Sequence, residues 1–183
     1  MIQSEWLQQE WTPADTRQLK RDTEQFLVTS RFSDQTYLEN RRACHNLKVS
    51  CFYSTLTDIS PTIPREAIVY VLEMNNSQNK LMGVGRIRNY LHNTVYRVYE
   101  DDNYNQRHYT GDRHISCDEL TDEQRPLFKA LERICFYGRH HLKRGSRITL
   151  FPWKILGQCK QNNLDITKEI EKLFLEAKLK PYP

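Results

Sequence analysis

Arg139, His140, His141, Lys143, Arg144 and Arg147 fall within nine residues, and what those side chains do at that density is hold phosphate. Arginine offers forked N–H pairs that match phosphate oxygens, lysine supplies a compact charge, and each neutralised phosphate releases a condensed counterion. Histidine adds a ring that stacks or hydrogen bonds without a fixed charge. The segment is the dense part of a longer window, since the thirty-two residues from Arg133 to Leu164 hold seven Lys and Arg and no Asp or Glu. The whole chain carries only +4, so the rest is net negative and the basicity is local. A helix C-terminus attracts one or two cations through its dipole, which accounts for Arg139 and Lys143 but not for an acid-free window of this length. The pattern points to a polyanion.

Other groupings carry less. Gly83-x-Gly85 is followed by no Gly-Lys-Ser/Thr and opens no helix, so it is neither a Walker loop nor a dinucleotide fingerprint. In a strand such glycines mark a bulge or a close backbone approach. Arg86 and Arg88, two apart on that strand, share a face with Val84 and either meet a ligand or face solvent. Tyr90, Tyr96, Tyr99, Tyr104 and Tyr109 interleave with Arg88, Arg97 and Arg107, a mixture suited to stacking on bases, but Glu100-Asp101-Asp102 sits among them and repels phosphate. That stretch reads as a strand pair around an acidic loop.

No Gly-x-Ser-x-Gly elbow, His-Glu-x-x-His or His-x-Glu deaminase signature occurs. Asp112, His114 and Asp118 are the groups from which an acid and base pair could be drawn, and catalysis stands behind binding as a reading. The five cysteines form no Cys-x-x-Cys pair. Cys44, His45 and Cys51 are zinc-type ligands short of a second close-spaced pair, so free thiols, no metal and no cofactor are expected.

The elements that must position these residues follow from periodicity. Residues 3 to 24 read as helical, with Trp6, Leu7 and Trp11 apolar and Thr12-Pro13 restarting the run. Phe26 to Ser30 is a strand, and Ser33 caps a short helix to Asn46 with Asp34 early and Arg41 and Arg42 late. Lys48 to Tyr53 alternates as a strand, and Asp58 to Pro64 is a loop. Ala67 to Met74 is the central buried strand, returned by Asn75 to Asn79 into Lys80 to Arg88. Thr94 to Tyr99 and Ile115 to Cys117 are further short strands. Thr121-Asp122-Glu123-Gln124 fits a capping box, Pro126 delays the regular helix to near Arg125, and Gly138 stops it. Ile148 to Phe151 is a strand ended by Pro152, and Ile166 to Ala177 is a final amphipathic helix.

The sum is one mixed α+β domain of 183 residues, an N-terminal helical segment (1–24), a strand-rich core (26–120) and a C-terminal part (121–183) with the basic segment between helix and strand. Mean hydropathy of −0.76 alongside ten Tyr, seven Phe and three Trp fits a polar surface over an aromatic core. No apolar run of about 18 residues and no leader-like start occur, so an intracellular, soluble protein is expected.

Phe26-Leu27-Val28-Thr29-Ser30-Arg31-Phe32-Ser33-Asp34, then Lys48 to Ser54, then Ile68 to Leu72 running into Leu81 to Ile87, resemble the opening half of YTH and EVE domains, and Tyr109 to Ile115 with Asp118-Glu119-Leu120 resembles their later strands. These are PUA-like small mixed β-barrels that read modified bases. The resemblance implies a PUA-like barrel with flanking helices, an RNA or DNA partner, and a base-stacking pocket at Phe52, Tyr53 and Arg31 near Arg86. Where the family has a cage tryptophan, this chain has Cys51, Phe52 and Tyr53. Gly138 to Pro152 is similar to a segment in uncharacterised proteins of large cytoplasmic DNA viruses such as African swine fever virus, which implies a host cytoplasm. The rival reading is a protein-interaction or structural component, without catalysis, docking through Trp6 and Trp11.

Overall fold

The computed structural model describes residues 2, 4–92, 96–145 and 148–177. Its backbone is α+β. Helix α1 (Pro13–Asp22) starts at a reciprocal Thr12–Asp15 capping box with Pro13 in the first turn, and a short 3-10 turn at Trp6–Gln8 precedes it in place of a continuous helix. Strand β1 (Gln25–Phe32) leads through the Ser33 cap into α2 (Asp34–Leu47), which ends where Lys48 takes a left-handed φ of 54°. Strand β2 (Cys51–Thr55) therefore begins three residues later than the alternation suggested, and it is buried along its whole length. Then come β3 (Ile68–Asn75), β4 (Lys80–Arg88), β5 (Arg107–Gly111), β6 (Arg113–Ser116), α3 (Arg125–Phe136), β7 (Thr149–Leu150), α4 (Trp153–Gln161) and α5 (Ile166–Glu176).

Five strands form one sheet in the order β6-β4-β3-β1-β7, with β1 parallel to β3 and the other neighbours antiparallel. β3 is central, as its apolar run from Ile68 to Leu72 requires. β2 and β5 pair only with each other. Among the described residues the strand pairings thus give two sheets rather than the closed barrel expected from the resemblance. The small sheet meets β4 by crossing it, not by extending its hydrogen-bond ladder. A Cβ at Gly85 would strike the Tyr53 hydroxyl, and one at Gly111 would strike the backbone oxygen of Arg86. Gly85 thus follows the close-approach reading of the sequence. Gly111→Ala is expected to lower stability by about 1–3 kcal/mol, since backbone cannot swing aside as a side chain does. An unshifted urea midpoint would show that the crossing relaxes freely.

The large sheet is covered on both faces. Leu27, Tyr70, Leu72 and Val84 pack with Phe128, Leu131, Cys135, Ile170 and Phe174 of the C-terminal helices. Phe26, Val28, Val69, Val71 and Ile87 pack with Ala43 and Cys44 of α2 and with Phe52, Tyr53 and Tyr109 of the small sheet. Helix α4 was not anticipated. Its Gly157 leaves the space that the Trp11 ring occupies, and Gln158 donates to the Gln9 carbonyl, so α4 is the seat of the N-terminal segment. Of the strand expected over Thr94 to Tyr99, residues 94 and 95 lie outside the described residues and Tyr96 to Val98 are irregular. No described helix is long and apolar enough to cross a membrane.

Candidate nucleic-acid interface

The basic segment leaves α3 at Tyr137, turns at Gly138 (φ 85°) and crosses the end of the sheet toward β7. Five hydrogen bonds fix its path. Arg31, at the end of β1, donates through Nε to the Leu142 carbonyl (2.6 Å) and through a terminal nitrogen to Thr149 Oγ1 (2.9 Å). Asn76, in the β3–β4 turn, donates Nδ2 to the Lys143 carbonyl (3.1 Å), and Lys143 Nζ donates to Asn79 Oδ1 (2.6 Å). The Leu142 amide closes back onto the Cys135 carbonyl (2.8 Å). Arg139, His140 and Arg144 are exposed, and His141 and Lys143 are half-buried. Among the described residues no carboxylate forms an ion pair with Arg139, Lys143 or Arg144; the ion pairs fall elsewhere on the chain. Arg147 lies outside the described residues.

The other anticipated cations are not part of this surface. Arg86 stands 3.8 Å from Asp112, and exposed Arg88 donates to the Glu66 carbonyl. Both sit toward the far end of β4, whereas Lys143 meets the turn at its start. Six residues of strand from Lys80 to Arg86 span about 20 Å. Phe52 and Tyr53 are a clearer correction. They are 0% and 1% exposed, walled between α2 and the large sheet, and the Tyr53 hydroxyl donates to Glu73 Oε1 (2.8 Å). A base cannot reach either ring without displacing the core.

Arg31 does line an opening. A cavity of about 500 Å3 lies beside the basic segment, bordered by Arg31 and Gly145 on one side and by Ser54, Thr55, Asn76, Tyr99 and Tyr104 elsewhere. That volume is within the roughly 300–1,000 Å3 usual for ligand sites. Glu39, Glu100 and Asp101 form its acidic wall. Two polar atoms in the lining, Thr55 Oγ1 and Asn76 Oδ1, are buried with no hydrogen-bond partner. Sequence reasoning missed this cavity, although it had singled out both Arg31 and the neighbouring strand residues.

A second polar cluster is internal. Glu73, wholly buried in β3, receives Tyr53, His114 Nε2 (3.0 Å) and Arg41 (3.2 Å), and Arg41 also donates to Asn40. Burial pushes the Glu73 carboxyl up, but His114 and Arg41 outweigh it and hold the pKa down at about 2. Burial opposes the Arg41 charge too, and Glu73 more than restores it. Gly83 makes room for the His114 ring. His114 thus serves Glu73, not Asp112 or Asp118 as drawn from the sequence. His114, Asp112 and Ser50 do line a cavity of about 390 Å3, but Ser50 Oγ donates to the Asp112 carbonyl (2.7 Å). Among the described residues Ser50 and His114 form no hydrogen bond with each other.

Cys44 and Cys51 are buried while His45 is exposed, so the zinc-type set is not assembled, and no described group of three or more His, Cys, Asp or Glu is placed to hold a metal. Trp6 and Trp11 are half-buried against the chain itself. Trp6 packs on the core beneath the C-terminal helices, and Trp11 covers Gly157 and donates Nε1 to Thr16 (2.8 Å). Both rings thus spend part of their surface inside the chain.

No family model matches the chain, and the search of curated proteins gave no match. Among solved structures, the crystal structure of the YTH domain of Zygosaccharomyces rouxii MRB1 protein, in complex with N6-methyladenosine RNA, aligns with 86% of this chain and 90% of that one. The TM-score is 0.41 at 15% identity. A likeness of that grade fixes no residue correspondence. The viral resemblance of Gly138 to Pro152 has no counterpart in these comparisons.

Proposed function

We propose that the protein binds single-stranded nucleic acid, its phosphates on Arg139, Lys143 and Arg144 and one unpaired base in the adjoining cavity. The observation that carries the reading is adjacency: cations without carboxylate partners lead, at Gly145, to the edge of a cavity that Arg31 also lines. Phosphate is kept on the basic side because the cavity's far wall is acidic. A base carries no charge, offers donors and acceptors at its edge, and presents a face to Tyr99 and Tyr104. A base held in a duplex is already paired and stacked, which favours a single strand.

Mobility-shift titrations of a short single strand, as RNA and as DNA, at 50 and 200 mM salt test this. Binding is expected to weaken steeply with salt. The double variant Arg139→Ala, Arg144→Ala removes two exposed cations that hold no part of the fold. It should lower the slope of log K against log salt by about 1.4, at about 0.7 per phosphate for single strands. No shift at 50 mM salt, or a slope the double variant leaves unchanged, would end the proposal.

A further inference from the structure

We infer that Asn79 is a positioning residue of the nucleic-acid surface, its amide oxygen holding the Lys143 ammonium in place for a phosphate without neutralising it; the inference rests on the binding reading above. Lys143 is held by backbone and by side chain. Its amide donates to His141 Nδ1 (3.3 Å), its carbonyl accepts from Asn76 Nδ2 (3.1 Å), and its Nζ donates to Asn79 Oδ1 (2.6 Å). No such anchor holds the exposed Arg139 or Arg144 among the described residues.

The kind of partner at position 79 matters as much as its presence. An ammonium has three N–H donors, so one bond to a neutral oxygen leaves two donors and the whole charge for another ligand. A carboxylate there would hold the side chain as well, but a phosphate would then have to displace it. Backbone geometry narrows the choice of residue. Asn79 is the last residue of the β3–β4 turn and has a φ of 54°, the left-handed region in which glycine, asparagine and aspartate are the usual occupants. Glycine has no side chain to reach Lys143, and aspartate would neutralise it. Asparagine is the one of the three that anchors the cation and leaves it charged. The carboxylate that the turn does touch is occupied by amides: Asp34 Oδ1 accepts from Asn75 (2.8 Å) and Gln78 (2.6 Å), and Asp34 forms no ion pair among the described residues. Ordering a long flexible side chain opposes binding, and here the fold orders it in advance.

The test titrates a short fluorescent oligouridylate by anisotropy between 50 and 200 mM salt. Asn79→Gly suits the left-handed backbone and removes only the amide. Affinity at each salt concentration should fall about threefold to tenfold, the range for ordering one flexible side chain, while the slope of log K against log salt stays as it was. Lys143→Met should lower that slope by about 0.7, one phosphate of a single strand. Adding Asn79→Gly to Lys143→Met should then change affinity by less than about twofold, since no ammonium is left to position. Asn79→Asp, which keeps the side-chain shape, should lower the slope as Lys143→Met does. A residue that mattered only to the turn would weaken binding equally with and without the Lys143 ammonium and would leave the slope of the Asp variant alone; either result overturns the inference. An Asn79→Gly variant that binds as tightly as the unchanged protein overturns it too, with phosphate binding intact. If the unchanged protein does not bind the strand, the nucleic-acid reading fails and this one with it.

Discussion

Glu73→Ala is expected to cost about 3–5 kcal/mol of folding stability, because the substitution strands Arg41 and His114 against a site with no counter-charge and leaves the Tyr53 hydroxyl without its acceptor. The loss is that of a broken buried pair, far above the roughly 0–1 kcal/mol of an exposed one such as Arg97 with Asp102. Equilibrium urea unfolding measures it. Glu73→Gln, which keeps the volume, should show most of the same loss, since charge and not packing is what the partners need. A pH dependence follows with a definite sign. The folded-state carboxyl sits near 2 against an ordinary 4.5, so its contribution is complete above about pH 4.5 and drains away as pH falls toward 2. Stability of the Glu73→Gln variant should be flatter across that window. An acid limb as steep as that of the unchanged protein would refute the assignment.

Phe52→Ala is expected to destabilise by about 3–5 kcal/mol, the usual cost of deleting a large ring from a closed core. Phe52 is 0% exposed and packs edge-on to Tyr96 and tilted against His108, at centroid distances of 6.2 and 5.3 Å. If it stacked on a base instead, the variant would fold normally and bind nucleic acid poorly. Thermal unfolding and anisotropy on the folded fraction separate the two roles. The core position predicts a lowered midpoint with unchanged affinity.

Much of the backbone was legible because local patterns agree with their surroundings. Ser33 and Thr12 cap as their types suggest, the apolar run of β3 is central, and the Asn-rich turn returns it into β4. Helix α4 was harder to see, being nine residues long with Gly157 inside it, a helix whose reason lies in the Trp11 ring 146 positions earlier in the chain and not in its own propensity. The alternation of Lys48 to Tyr53 misled because a strand sandwiched on both sides has no solvent face to alternate with. For the site, the cations were visible in the sequence and their destination was not. Phe52 and Tyr53 were chosen as aromatic and near, but burial depends on what folds over them. Glu73 did leave a signal, a lone acid inside an apolar strand, which must find partners. Those partners lie 32 and 41 residues away, beyond any local pattern. The cavity joins the end of β1, the start of α2, the end of β2 and residues 99 to 104, so no single stretch of chain announces it.

The pairing of β1 with β7 joins Val28 to Leu150, near opposite ends of the chain. During synthesis the first of these strands leaves the ribosome long before the second, and contacts of such separation form late and slowly. Arg31 cannot grip Leu142 or Thr149 until then, so the path of the basic segment is fixed only after β7 has been made. Placement of the basic segment is thereby a late step of folding, set by a contact between distant parts of the chain and not by the segment's own sequence.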